Sequence, residues 1–62
     1  MPTEKEVFAA GKVIHENGVG HGWFGPHYKK SFKELQNSDR IGFDEFLAII
    51  HLALEAAQKA RV

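Results

Sequence analysis

Apolar residues recur at helical spacing in three stretches, and the last third of the chain shows it best. From Phe43 to Val62 there is no Gly or Pro, and Ala and Leu dominate, so helix propensity is high throughout. Phe43, Phe46, Leu47, Ile50, Ala53, Leu54 and Ala57 recur at three and four residues, the signature of one helical face. Asp44 and Glu45 open this stretch and Lys59 and Arg61 close it, which suits the helix dipole. The pattern predicts a helix over about 43–60, capped by Gly42, that serves as the apolar spine for the remainder.

Two shorter helices are predicted before it. Thr3 and Glu6 have the spacing of a capping box. The helix they open, about 3–16, carries Val7, Ala10, Gly11 and Ile14 on one face with Phe8 beside it. Gly11 in mid-helix costs roughly 1 kcal/mol against Ala, which points to close approach of a neighbouring helix. Asn17-Gly18 reads as the stop, because both residues tolerate the left-handed conformation. Pro26 reads as the first-turn proline of a helix over about 26–37. Its apolar face is Tyr28, Phe32 and Leu35, with Lys29, Lys30 and Lys33 opposite. Asn37-Ser38-Asp39 then reads as a turn. The fold class is all-α: one small three-helix domain over 1–62, with a loop rich in Gly, His and aromatic residues between the first two helices. Trp23 and Phe24 of that loop are expected to fold into the core as a lid over the third helix.

Composition narrows the function classes. A chain of 62 residues buries only about 60% of its unfolded surface, so stability is marginal. With no Cys, there is neither disulfide nor thiolate metal site. Eight basic and eight acidic residues cancel, which gives no electrostatic bias toward nucleic acid or an anionic membrane. The start, Met-Pro-Thr-Glu-Lys-Glu, has no apolar run of a signal peptide. No stretch approaches the roughly 20 apolar residues that span a bilayer. These features predict a cytoplasmic protein with no membrane contact and no cofactor.

Several constellations carry candidate chemistry. Gly20-His21-Gly22-Trp23-Phe24-Gly25 matches G-x-G-x-x-G. A phosphate site of that type follows a strand in a βαβ unit, whereas here a helix precedes it. The expected reading is a tight, aromatic-anchored loop. His15, His21 and His27 lie on three predicted elements that a Zn²⁺ ion would have to draw together. His15-Glu16 is not part of an H-E-x-x-H motif, since position 19 is Val. A metal site is therefore a weaker expectation. Ser31 and Ser38 have no base and orienting group in the sequence pattern, so no enzyme is predicted.

Ile41-Gly42-Phe43-Asp44-Glu45-Phe46-Leu47 resembles the exit half of an EF-hand, with Glu45 as the closing acid. The resemblance covers seven residues and implies a degenerate Ca²⁺ loop. On its register the first ligand positions are Glu34, Gln36 and Ser38, and Asp39 stands where the family has Gly. Lys29, Lys30, Lys33 and Arg40 form a candidate basic strip, which would make the chain a nucleic-acid-binding regulator. The third helix is too apolar and too acidic at its start to read DNA.

The strongest functional signal is the width of the apolar arc on the third helix. A helix in a three-helix domain needs an apolar stripe of about 100°, and this one is roughly twice as wide. Ile49, Ala56 and Ala60 extend it on one flank, and Leu52 stands farther round between Glu45 and Lys59. A non-enzymatic module of the regulator or inhibitor type is the expectation. It would bind a protein partner, or itself as a homodimer, through Ile49, Leu52 and Ala56, with Trp23 or Val62 nearest to join them.

Overall fold

The structure, a computed structural model, describes residues 1–61. Its three helices are α1 (Glu4–Gly20), α2 (Phe32–Ser38) and α3 (Arg40–Ala60), and there are no strands among the described residues. The all-α, three-helix expectation holds. The start of the first helix and the end of the third hold as well, whereas the end of the first and the starts of the second and third shift, each for a local cause.

α1 opens at the predicted capping box. The Glu6 backbone N–H donates to Thr3 Oγ1 at 3.1 Å, and the Thr3 N–H donates to Glu6 Oε1 at 2.8 Å. That second bond also holds the Glu6 carboxyl below the usual carboxylate range. The helix then runs through Asn17-Gly18. The Asn17 amide donates back to the Val13 carbonyl at 2.8 Å, so it supports the helix instead of ending it. Termination falls at Gly22, whose φ is +73°. The Gly22 N–H donates to the Val19 carbonyl and the Trp23 N–H to the Gly18 carbonyl, the paired bonds of a Schellman ending.

Pro26 does not begin α2. It lies in a turn after Gly25, whose φ of +106° redirects the chain. Residues 28–31 are non-helical, and Ser31 is the N-cap, its hydroxyl accepting from the Glu34 N–H at 3.1 Å. Asn37 and Ser38 belong to α2, not to a turn. The single residue Asp39 separates α2 from α3, and its carboxylate accepts from the Gly42 N–H at 3.0 Å. Asp39 is thus the cap of α3, and Gly42 lies inside the helix.

The core is small and aromatic. Val7, Phe32, Phe43 and Ile50 are its buried apolar side chains. Phe32 sits 5.0 Å from both Phe8 and Phe43, centroid to centroid, with tilted or edge-on rings, the geometry aromatic pairs prefer. Gly11 serves the close approach its position predicts: a Cβ there would stand 2.8 Å from Leu47 Cδ2 of α3.

The aromatic residues of the loop do not form a lid over α3. Phe24 packs on His15 of α1, with ring centroids 5.3 Å apart. Trp23 is 66% exposed. It lies over Gly18 and beside His21, so it is not a core residue. Its large ring is spread on the surface of the helix end it caps.

The molecule is elongated, 41 × 22 × 14 Å. Its radius of gyration is 12.4 Å, against roughly 10.6 Å for a compact domain of this length. The exposed surface is 4847 Å², where a compact monomer of its mass has roughly 4000 Å².

Candidate functional site

α3 has fully buried side chains over its first half only. Phe43 and Ile50 are buried, and Phe46 and Leu47 are partly covered by α1 and α2. Beyond Ile50 no residue of α3 is buried. Leu54 is half-buried, and Ala53, Ala56, Ala57 and Ala60 are exposed. The cause is chain length. α2 has seven residues, about 10 Å of helix, and it packs beside the first half of α3. Beside the second half lie the first residues of the chain: Met1 next to Glu55, Gln58 and Lys59, and Pro2 and Glu4 in one groove with His51.

On the outer face, Ile49 is 64% exposed and Leu52 63%, and Ala56 is exposed with them. All three predicted contact residues therefore lie on one solvent-facing arc. Ile41 joins them at 75% exposure. The apolar pattern does not reveal it, because that pattern starts the helix at Phe43. Asp39, three residues before Gly42, is the capping signal that does. Two i,i+4 pairs border the arc on one side: Arg40 Nε to Asp44 Oδ1 at 3.3 Å, and His51 Nε2 to Glu55 Oε1 at 3.4 Å. Glu45 and Lys59 are exposed and belong to no ion pair among the described residues. Trp23 is on the loop after α1, and Val62 lies outside the described residues.

The three candidate metal-binding histidines are separated by environment. His15 is 1% exposed, fully buried, whereas His21 and His27 are exposed. His15 stands inside a cage of Phe24, Tyr28, Phe32 and Phe46. Its Nε2 shares a hydrogen bond of 2.9 Å with the Tyr28 hydroxyl, and its Nδ1 has no partner. Burial pushes the imidazole below its ordinary value, with the Glu16 carboxylate pulling weakly the other way. Burial likewise raises the Tyr28 phenol, helped by Asp39 and Glu34. A neutral His15 filling a core position is the arrangement this chemistry fits. It occupies the same face as Val7, Gly11 and Gly18, and that spacing was its only sequence signal. No group of three His, Asp or Glu side chains is poised around a metal among the described residues.

The residues of the EF-hand register and of the basic strip also lie elsewhere than their spacing predicts. Glu34, Gln36 and Ser38, the first positions of the EF-hand register, lie on α2, and only Asp39 stands between the helices. The twelve-residue loop implied by that resemblance is therefore mostly helix. Of the basic residues, only Lys33 is on α2. Lys29 and Lys30 precede it, Lys30 Nζ donates to Ser38 Oγ at 3.3 Å, and Arg40 is paired with Asp44. They form no strip on one helix face. No helix among the described residues is long and apolar enough to cross a membrane.

Compared with protein-family models, curated proteins and solved structures, the chain matches none.

Proposed function

We propose that this chain is a small, non-enzymatic protein–protein interaction module, of the regulator or inhibitor type, that docks through the outer face of α3. The observation that carries this reading is the exposure of Ile49 and Leu52, with Ala56 beside them, on one solvent-facing arc of α3. Burying an Ile or Leu contributes roughly 1.5–3 kcal/mol. Association costs at least about 4 kcal/mol in lost freedom, so two such side chains support binding only when the surrounding alanines and Ile41 are buried too. The alanines favour that, because they let a partner backbone come close.

Site-directed photo-crosslinking tests the reading. A photoreactive side chain at Leu52 or Ile49 is expected to yield a discrete protein adduct, in a concentrated solution of the chain or in an extract of its source. The same group at Lys33 is expected to yield none. Adducts from Lys33 alone, or nucleic-acid affinity that falls steeply with salt, would overturn the assignment of this face.

A further inference from the structure

On the outer face of α3, Glu45, Ala48, Leu52, Ala56 and Lys59 are all exposed. Their spacing is three, four, four, three, which is symmetric about Leu52. At 100° per residue the five positions fall within an arc of about 80°. The pattern is therefore a single stripe that reads the same in both directions, except that its ends carry opposite charges. A second copy of the helix, turned end for end about Leu52, brings each residue onto its counterpart: Leu52 meets Leu52, Ala48 meets Ala56, and Glu45 meets Lys59. A twofold axis makes each of the latter contacts twice, as in any isologous interface.

We propose that the occupant of this face is a second copy of the chain, paired antiparallel through α3 with Leu52 on the twofold axis and Glu45 against Lys59 at both ends. The inference rests on the interaction reading above and names its partner. Three observations carry it. Glu45 and Lys59 lack ion-pair partners within the chain, among the described residues, while Arg40, Asp44, His51 and Glu55 on the border of the stripe are already paired. The small side chains flank the large one symmetrically, so two helices can approach closely on either side of the central leucines. Ile49 lies on the flank of the stripe, where it would cover Leu52 and Ala56 of the other copy. The exposed surface also exceeds that of a compact monomer by roughly 800 Å², the amount each partner contributes to an interface of standard size. A parallel pairing would set Glu45 beside Glu45 and Lys59 beside Lys59, which like-charge repulsion opposes.

Sedimentation equilibrium at low salt and disulfide trapping test the proposal together. The wild-type chain is expected to dimerise. Glu45→Lys or Lys59→Glu alone is expected to weaken the dimer about tenfold or more, since each places like charges opposite at both ends. The double variant Glu45→Lys/Lys59→Glu is expected to recover affinity to within about threefold of wild type. The chain has no cysteine, so introduced thiols report unambiguously. Ala48→Cys mixed with Ala56→Cys is expected to give a disulfide-linked pair. Ala48→Cys by itself is expected to give none, because its two copies would stand about 12 Å apart along the axis. Efficient trapping of Ala48→Cys with itself would show a parallel pair and overturn the register, leaving the interaction reading intact. A wild-type chain that stays monomeric at millimolar concentration overturns self-pairing. The interaction reading then stands if Leu52 still crosslinks to another protein, and falls with it if Leu52 crosslinks to nothing.

Discussion

The two halves of α3 have similar shares of apolar residues, large ones in the first and mostly alanines in the second, and they meet different environments. Arg40–Ile50 carries Phe43, Phe46, Leu47 and Ile50 into a cluster with Phe8, His15 and Phe32. The second half, beyond Ile50, offers Leu52, Leu54 and four alanines, and none is buried. Hydrophobicity alone did not decide which half became core. What decided it was reach: the aromatic side chains that build the core come from α1, the loop and α2, and all of them converge on the first half. The second half has the first residues of the chain beside it, and His51, Leu54, Glu55 and Gln58 are only half-buried there. Apolar sequence in a small protein therefore marks surface that benefits from burial, whether inside the chain or against another one.

The largest expected contrast between the halves is in stability. Phe32→Ala removes a ring that is almost fully buried among Phe8, Phe43 and Phe46. Truncations of this kind cost about 3–5 kcal/mol, enough to unfold much of a marginally stable domain. Leu52→Glu is expected to change monomer stability by less than about 0.5 kcal/mol, as for a surface site. Urea titrations at low protein concentration compare the two. A Leu52→Glu loss as large as that of Phe32→Ala would show that the second half is covered, and the comparison would collapse.

A smaller effect sharpens the account of how α1 ends. A Cβ on Gly18 would lie 2.7 Å from the Phe24 ring and 3.0 Å from the Trp23 ring, whereas a Cβ on Gly20 meets nothing within 4 Å. Gly18→Ala is expected to be net destabilising by about 1 kcal/mol, because overpacking outweighs the gain in helix propensity. Gly20→Ala is expected to stabilise by about 0.4–1 kcal/mol. Thermal melts give both signs, and Trp23 fluorescence should change in the first variant and not in the second.

The smallest expected effect is a pH slope that belongs to the core half alone. The folded-state pKa of His15 lies below its unfolded value, so the unfolded chain binds the extra proton. Stability is then highest above about pH 6.5 and falls as the pH drops below it. The groups around the ring are Tyr28, Glu16 and uncharged aromatics. Melting His15→Leu across pH 5–8 should therefore give a flatter slope than wild type. A slope identical to wild type would place the acid sensitivity elsewhere.

Sequence-local features were legible from the chain itself. The Thr3–Glu6 box, the α3 periodicity and the outward position of Leu52 between Glu45 and Lys59 depend on residues within a turn or two of one another, and short-range hydrogen bonding and helical spacing suffice to set them. Where α1 stops, where α2 starts and which residues fill the core were settled by contacts between distant segments. Asn17-Gly18 is a good stop signal, yet the helix passes through it because the rings of Trp23 and Phe24 need a surface without a Cβ to lie against. Pro26 is a good start signal, yet the chain stays non-helical to Ser31, which lets Tyr28 reach His15. A histidine became fully buried, and the tryptophan stayed outside. Four aromatic rings from the loop, α2 and α3 enclose position 15, and no pattern within one helix contains that information.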